Sequence, residues 1–482
     1  MEMELNKKNL GTIIGREKDE YPVKVLQFGE GNFLRGFVDW MIHRTNQKGL
    51  FNGSVRVVQP LENGLITMLN DQNGLYTLIR RGLFKGEVIN DNEIITSIER
   101  GINPYTEYDD FIQSADLPEL RFVVSNTTEA GIVYRGGESI DDKPQISYPG
   151  KLTAFLYRRF KTFNKSIDKG LIIIPCELID RNGDNLKKIV YRLANEWILD
   201  KEFIQWLDNS CAFFNTLVDR IVTGYPRNEV EDLTKELGYK DNLLDSSEVF
   251  NLWVIEGDKK YSAELPLAET DGCNVIWTED MTPYRTRKVR ILNGIHTMMC
   301  LPAYLYGVET VGECLENKTV RRFIDKAVET EIIPSINFDK KELTEFAKDV
   351  MERFANPFIK HELLSISLNS VSKYKARVLP TVLEYIELNK KAPELLSFSL
   401  ASLMHFYKEH GKDSSEVLEY FNRAYKDFNG TKESGEIFTK NIMSNLDFWG
   451  QDLALIKLFY KKVTHYFNEI ESKGIKSVME SL

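Results

Sequence analysis

A short segment near the N-terminus constrains the fold of this chain more than any other feature. Residues 23–28 have an apolar face and predict a β-strand, and the turn Gly29-Glu30-Gly31 follows directly. A helix is predicted next, because apolar pairs recur every four residues at Phe33/Leu34, Phe37/Val38 and Met41/Ile42. A strand, a Gly-x-Gly turn and an amphipathic helix form the βα unit in which a dinucleotide pyrophosphate docks at the helix N-terminus.

Gly-x-Gly alone is a weak signal, because many tight strand-to-helix turns carry it. Leu34 occupies the position of the usual third glycine. Arg35 adds information, since the helix dipole disfavours a cation in the first turn unless an anion lies nearby. Two interpretations of Arg35 stay open at this point: a contact to an anionic ligand, or an ordinary surface arginine.

A second motif lies at Lys288, Asn293 and His296, within nine residues of a predicted helix start. Asn293 and His296 are spaced i,i+3 and therefore share a helix face. A lysine can exchange a proton with a hydroxyl group, and an amide and an imidazole can hold the oxygen in line. The set suits acid–base chemistry on an alcohol or ketone. A basic helix start with a structural histidine is the alternative.

The length and charge of the chain restrict its class. A chain of 482 residues is too long for one ordinary core, so two or more domains are expected. A hydrophobic content of 42% and a charged content of 28% are typical of a globular protein. The net charge of -10 argues against nucleic acid or a membrane surface as a partner. An anionic substrate would therefore need a local cationic pocket.

The cysteines and histidines predict reduced thiols and no metal site. The five cysteines show no Cys-x-x-Cys spacing, which favours a cytoplasmic location. The six histidines are scattered, and His405 and His410 have the wrong spacing for an i,i+4 metal pair. No signal-peptide run and no apolar stretch of roughly 20 residues is present, so no membrane segment is expected.

The secondary-structure pattern changes near Tyr284. Before it, strand-like stretches at 55–58, 121–124, 171–175 and 274–277 alternate with helical patterns at 152–160 and 186–197, which favours parallel βαβ units. After it, helical patterns dominate, at 320–330, 341–354, 371–388, 394–409, 415–428 and 453–471. We expect a Rossmann-like α/β domain with a doubly wound sheet at 1–283 and a mainly helical, all-α domain at 284–482. The tail 472–482 is expected to fray.

Together the motifs resemble the mannitol dehydrogenase family, the polyol-specific long-chain dehydrogenases. The resemblance rests on Gly29-x-Gly31-Asn-Phe33-x-Arg35, Val218-Asp219-Arg220-Ile221 and Lys288-x4-Asn293-Gly294-x-His296. Segments 121–131, 172–180, 217–227 and 356–366 look most like the uronate branch of the family. The similarity runs from about residue 21 to past residue 380, over most of the chain.

The resemblance implies NAD (NADH) as the cofactor and hydride transfer to a ketone. It implies Lys288 as general acid and base, with Asn293 and His296 orienting the oxygen. Polar residues at the carboxyl end of a parallel strand, here Asn126 and Thr127, face the ligand crevice of such a sheet, although they also suit a plain turn. The implied cofactor-binding residues are Val25, Leu26, Gln27, Phe28, Gly29, Glu30, Gly31, Asn32, Phe33, Leu34, Arg35, Gly36, Gln59, Asn126 and Thr127.

The implied substrate is a small sugar acid, which the uronate branch interconverts between D-tagaturonate and D-altronate in hexuronate catabolism. A carboxylate needs cations, and the chain offers several candidates, each of which could also be a solvated surface group. Asp219 is a candidate for the substrate hydroxyl groups. The candidate cations are Lys373, Arg377, His361, Lys360 and Arg227. No nucleic acid, membrane or obligatory protein partner is expected.

The chain departs from the family pattern in three places. The second predicted strand ends at Gln59-Pro60, without the acidic residue that usually binds the ribose, and Glu62 lies further on. NAD is therefore preferred on the resemblance alone, with Gln59 as a possible ribose ligand. Leu178 stands where the mannitol branch has an asparagine, which favours the uronate branch. Ser365 stands where that branch has an arginine, so the cationic contacts are expected to be rearranged. A fructuronate reductase, a mannitol or arabinitol dehydrogenase, and a non-catalytic sugar-acid or nucleotide sensor stay open.

Overall fold

The computed structural model describes residues 3–15, 18–128 and 130–482, which form two compact units. The first unit comprises Met1–Arg81 and Ile89–Met281, and the second comprises Gly82–Val88 and Thr282–Leu482. The division at 281/282 lies two residues before the predicted boundary of 283/284. Glu129, which belongs to one of the family-like segments, lies outside the described residues.

Residues 82–88 group with the second unit, whereas the sequence placed them in the first domain. They form the tip of a β-hairpin, where the backbone N–H groups of Lys85 and Gly86 donate to the Glu352 carboxylate at 2.9 and 3.0 Å. The hairpin was not predicted, because its second strand contains many polar residues and buries only its last two residues.

The first unit is built from strands with helices between them. Its strands are β1 (Val23–Phe28), β2 (Ser54–Val58), β3 (Tyr76–Phe84), β4 (Glu87–Ile95), β5 (Ile98–Ile102), β6 (Phe122–Ser125), β7 (Ile172–Pro175), β8 (Ala212–Phe213), β9 (Asn215–Asp219), β10 (Asp245–Glu248), β11 (Leu252–Glu256) and β12 (Val275–Thr278). Its helices are α1 (Lys7–Ile14), α2 (Asn32–Leu34), α3 (Trp40–Gln47), α4 (Ile66–Asp71), α5 (Tyr108–Gln113), α6 (Tyr148–Thr162), α7 (Asn182–Glu196), α8 (Lys201–Ser210) and α9 (Val230–Leu237). Short 3-10 turns lie at Ser114–Asp116, Ile167–Lys169, Lys259–Ala263 and Pro266–Glu269.

The main sheet confirms the predicted Rossmann-like fold class. Among the described residues its strands run in the order β5-β2-β1-β6-β7-β8, and every neighbouring pair is parallel. This is a doubly wound order, in which successive strands are added first on one side of β1 and then on the other. Phe28 is paired with Val58 on one side and with Ser125 on the other. The residues after these three strands, Gly29, Gln59 and Asn126, therefore emerge at one edge of the sheet.

Both faces of the sheet are buried, as expected for parallel strands covered by helices. On one face Val25 packs with Phe37 and Met41 of the segment that follows the Gly-x-Gly turn. On the other face Leu26 and Phe28 pack with residues of α6 such as Leu152 and Phe155. The alternation along β1 thus supplies two separate cores, and it explains why this strand was predictable.

Two smaller sheets complete the first unit, with the orders β10-β3-β4 and β12-β11-β9. The strand predicted at 274–277 exists as Val275–Thr278, and it pairs with β11 in the last of these sheets. Pairing partners of this kind depend on distant segments, which a local pattern does not reveal.

The second unit is helical, as predicted. Its helices are α10 (Thr282–Arg287), α11 (Gly294–Tyr306), α12 (Val311–Glu316), α13 (Lys318–Ala327), α14 (Ile333–Ser335), α15 (Lys340–Phe354), α16 (Leu363–Ile366), α17 (Ser370–Arg377), α18 (Leu379–Asn389), α19 (Glu394–Phe406), α20 (Ser415–Lys426), α21 (Lys432–Met443), α22 (Leu446–Trp449), α23 (Lys457–Lys473) and α24 (Ile475–Glu480). A 3-10 turn lies at Leu453–Leu455. No helix in the described part of the chain is long and apolar enough to cross a membrane.

Two details of the second unit differ from the sequence-based expectations. The helix predicted over 371–388 is interrupted at Val378, because Pro380 is tolerated only in the first turn of a helix. The tail does not fray over 475–480, since Ile475, Val478 and Met479 of α24 are buried.

Three helices contain π-helical turns, at Arg35–Asp39, Lys288–Asn293 and Val328–Ile332. A π turn shifts the backbone hydrogen bonds to i→i+5 and is frequent at functional sites. In the first segment, carbonyl groups accept from outside the helix. The Tyr76 hydroxyl donates to Arg35 O at 2.6 Å, and the Arg220 guanidinium donates to Gly36 O at 2.6 Å. The first two segments coincide with the residues singled out in the sequence.

Arg220 is the best single test of this arrangement. It is buried, donates also to Glu248 O at 2.9 and 3.1 Å, and lies 4.3 Å from the centre of the Trp40 ring. Arg220→Met should lower the free energy of unfolding by about 3 kcal/mol, because two buried carbonyl groups lose their donor. Urea titration followed by circular dichroism measures the change. The exposed Arg135→Met serves as the control, and equal small losses in both variants would contradict the role of Arg220.

Candidate functional site

The Gly-x-Gly turn has the geometry of a phosphate cradle. Gly29 has a φ of 119°, and a Cβ atom there would lie 2.8 Å from Asn126 O, so no other residue fits without strain. Its N–H donates to Val58 O at 3.0 Å, which ties the turn to β2. Gly31 is exposed, and a Cβ atom there would meet nothing within 4 Å. A ligand can therefore approach the backbone closely at the start of the helix.

Arg35 is neither a surface residue nor aimed at an external anion. Its side chain is buried, and it donates to Leu243 O at 2.5 Å, Asn32 Oδ1 at 2.6 Å and Glu30 O at 3.2 Å. The guanidinium also lies 5.1 Å from the centre of the Tyr76 ring. Protein oxygens thus supply the negative partners that the sequence led us to expect from a ligand, and Arg35 holds the backbone of the turn in place.

The other predicted cofactor residues divide into core and edge groups. The buried group packs inside the unit and offers a ligand at most its backbone: Val25, Leu26, Gln27, Phe28, Leu34 and Gly36. Glu30, Asn32 and Phe33 are partly exposed. Gln59 is buried, and its amide donates to Leu61 O and Glu62 O at 2.8 and 2.9 Å. Gln59 therefore shapes the loop after β2 rather than facing outward.

An acidic residue that follows β7, and that sequence reasoning did not select, binds the residues at the end of β6. Glu177 is buried and accepts from Ser125 Oγ at 3.0 Å, from Thr127 N at 3.0 Å and from Thr127 Oγ1 at 2.9 Å. Asn126 Nδ2 donates to Cys176 O at 2.8 Å. Burial raises the pKa of the Glu177 carboxyl. Glu177 could have been selected from the sequence by the same criterion as Asn126 and Thr127, because it is a polar residue just after a buried parallel strand.

In the second unit, the π-helical turn alters the relation between the three predicted catalytic residues. At about 100° per residue, the eight steps from Lys288 to His296 would overshoot two full turns by about 80°. A π turn accommodates one additional residue, so the overshoot becomes a shortfall of about 20°. Lys288 and His296 therefore lie close to one helix face. Lys288, Asn293 and His296 are each partly buried.

His296 is a neutral imidazole in an unusual environment. Its ring stacks on Phe354 at a centroid distance of 4.1 Å and meets the edge of His361 at 5.1 Å. Burial first, then the charges of His361 and Arg353, hold the pKa of His296 well below 6.5. Its Nε2 atom is buried and has no hydrogen-bond partner among the described residues. A buried polar nitrogen without a partner is costly unless a bound molecule or a water molecule pairs with it.

Basic side chains surround His296. Lys373 Nζ donates to Ile366 O at 2.9 Å, and Arg377 Nη1 lies 3.5 Å from Thr297 Oγ1. Burial, then the charge of Arg377, lowers the pKa of Lys373, and burial, then the charge of Lys373, lowers the pKa of His361. The cluster thus concentrates positive charge in a chain of net charge -10. Arg353 was not predicted, because nothing local distinguishes it from other helical arginines.

Four further residues have separate positions. Arg290 is tied to Glu384 by two hydrogen bonds of 2.8 and 3.0 Å, so it supports the helix that carries Lys288. Asp219 and Arg227 belong to the first unit, where Asp219 is buried at the end of β9 and Arg227 is exposed. Lys360 is exposed in the second unit. Within residues 3–15, 18–128 and 130–482, no group of three acidic, histidine or cysteine side chains is arranged to hold a metal ion.

The chain belongs to the mannitol dehydrogenase family, a family of dehydrogenase and reductase enzymes, as its motifs predicted. Residues 23–269 match the mannitol dehydrogenase Rossmann domain and residues 280–471 match the mannitol dehydrogenase C-terminal domain. Over 471 residues the chain is 45% identical to the altronate oxidoreductase of Escherichia coli O6:K15:H31, covering 96% of this chain and 97% of the relative. The altronate oxidoreductase of Shigella flexneri matches with the same identity and coverage.

Solved structures agree on the fold. Substrate-free D-sorbitol dehydrogenase superposes with a TM-score of 0.80 at 20% identity, covering 98% of this chain and 100% of that one. The ternary complex of Pseudomonas fluorescens mannitol 2-dehydrogenase with NAD and D-mannitol gives a TM-score of 0.65 at 18% identity, with 99% coverage of both chains.

Proposed function

We propose that this protein is an NAD-dependent oxidoreductase that interconverts D-tagaturonate and D-altronate and acts as the reductase in hexuronate breakdown. The observation that carries the proposal is the basic cluster of Lys373, Arg377 and His361 around His296. The similarity to altronate oxidoreductases over 96% of the chain supports it.

The first unit would bind the cofactor. The open backbone at Gly31 and the closely packed Gly29 fit a dinucleotide pyrophosphate, and the following helix offers its N–H groups. Bound NADH supplies the hydride for the substrate carbonyl carbon. The main-chain geometry of the turn depends on Arg35, whose hydrogen bond to Glu30 O keeps the turn closed.

The second unit would bind the ketone and supply the proton that its oxygen gains on reduction. As the carbonyl carbon gains a hydride, the oxygen becomes an alkoxide, and the Lys288 ammonium gives it a proton. The Asn293 amide can donate to the same oxygen. Because His296 is neutral, one of its ring nitrogens carries a hydrogen and can donate without competing for the proton.

The basic cluster explains a preference for a sugar acid over a neutral ketose. Desolvated cations lower one another's pKa, and a bound carboxylate relieves that cost through charge-assisted hydrogen bonds. A mannitol or arabinitol dehydrogenase has no such anion to place there. A cytoplasmic location and the lack of nucleic-acid, membrane or obligatory protein partners remain predictions from the sequence.

A substrate panel tests the proposal directly. NADH or NADPH is mixed with tagaturonate, fructuronate and fructose, and the loss of reduced-nicotinamide absorbance is followed. We expect the highest kcat/KM with tagaturonate and NADH. A preference for fructuronate or fructose would identify a sister activity, and ligand binding without any turnover would identify a sensor.

Lys288→Ala should lower kcat by about a hundred- to ten-thousandfold and leave NADH binding close to unchanged, because the proton donor is lost. Stopped-flow turnover and fluorescence titration with NADH give the two values. Lys341→Ala, an exposed lysine on α15, is the matched control. Wild-type turnover in a folded Lys288→Ala protein would remove this lysine from the mechanism.

Lys373→Met should raise KM for tagaturonate about tenfold or more and change the residual rate with fructose little, since fructose has no carboxylate. Lys375→Met, two residues further on the same helix, is the control. Equal losses on both substrates would mean that Lys373 binds hydroxyl groups or supports the fold. The carboxylate contact should then be sought at Arg377, His361, Lys360 or Arg227.

A further inference from the structure

The first unit lacks the usual acidic residue for the ribose of the cofactor. In a dinucleotide-binding fold that residue follows the second strand and accepts hydrogen bonds from the ribose hydroxyl groups. Here β2 is followed by Gln59 and Pro60, and Gln59 is turned inward to hold its own loop. The departure leaves open which group recognises the ribose.

A carboxylate reaches the same loop from a different strand. Glu30, the middle residue of the Gly-x-Gly turn, accepts a hydrogen bond from the N–H of Leu65 at 3.3 Å. The register of β1 and β2, with Phe28 opposite Val58, brings the turn and the loop side by side. Gly64 lies against this carboxylate, since a Cβ atom there would be only 2.1 Å from Glu30 Oε1 and 2.5 Å from the Gln59 amide. The loop is thus shaped around Glu30.

The Glu30 side chain retains acceptor capacity at the surface. It is partly exposed, and a carboxylate offers about four acceptor positions, of which the N–H groups of Leu65 and of Glu30 itself use two. Its neighbour Gly31 is the open position of the phosphate cradle. The carboxylate therefore lies one residue from the expected pyrophosphate and beside the loop that normally carries the ribose ligand.

We propose that Glu30 replaces the missing acidic residue: it accepts hydrogen bonds from the adenosine ribose hydroxyl groups and disfavours a 2′-phosphate by charge repulsion. This inference rests on the proposed cofactor and deepens it, because it names the residue that selects NADH over NADPH. Glu62 is the competing candidate. It is exposed in the same loop, and its backbone carbonyl group accepts from Gln59.

The test measures dissociation constants for NADH and NADPH by fluorescence titration without substrate. The wild-type protein should prefer NADH. Glu30→Gln preserves size but removes the charge, so the preference should fall by about tenfold or more. Glu30→Asp keeps the charge and should still reject NADPH, even where its shorter side chain weakens NADH binding. Glu62→Gln should leave the preference unchanged.

The outcomes separate this inference from the proposed function. An unchanged NADH preference in Glu30→Gln, or its collapse in Glu62→Gln, would overturn the assignment of Glu30 while the activity stands. Equal loss of NADH binding in Glu30→Gln and Glu30→Asp, with no change in the preference for NADH over NADPH, would show that Glu30 only supports the loop. A wild-type protein that binds neither dinucleotide would overturn the proposed cofactor and this inference with it.

Discussion

The cofactor half of the molecule depends on carbonyl groups that a π-helical turn releases and that distant side chains then satisfy. Arg220 donates to Gly36 O, and Arg35, the first residue of the same segment, donates to Glu30 O and Leu243 O. A buried carbonyl group without a donor is costly, so the Gly-x-Gly turn, the π segment and the strands around residue 245 form one connected network. The family motif at residues 218–221 thereby has a structural meaning, since it supplies Arg220.

Local patterns predicted the elements whose own residues determine them. Strand β1 was predicted to the residue, because a short stretch with an apolar face ends at the Gly-x-Gly turn. The α/β and helical division followed from periodicity alone. The hairpin of β3 and β4 was not predicted, since its second strand contains many polar residues and buries only its last two residues. The π turn at Arg35–Asp39 left no local signal, because the donors to its carbonyl groups, Tyr76 and Arg220, are distant in the sequence.

The candidate site, like the fold, was predicted only in part from the sequence. The sequence analysis named His361, Lys373 and Arg377 as candidate cations for a carboxylate, and they lie around His296, but Arg353 emerged only from packing. Arg35 and Gln59 show the opposite problem. Both carry functional groups that suit a ligand, yet their orientation is decided by protein acceptors, one of them 208 positions away in the sequence. The residue types indicated which hydrogen bonds these side chains can form, whereas burial determined which partners they bind.

The π turn at Lys288–Asn293 has a consequence for how this enzyme can evolve. A π turn corresponds to one residue more than an ordinary helix would contain over the same length. Losing a single residue there would restore a regular helix in which seven steps still leave Lys288 and His296 on nearly the same face. Regularising the helix while keeping every residue would instead rotate Lys288 away from His296 by about 100°. The π turn, rather than the number of residues, therefore sets the position of Lys288 relative to His296, and substitutions that favour a regular helix over this segment are the ones that selection removes.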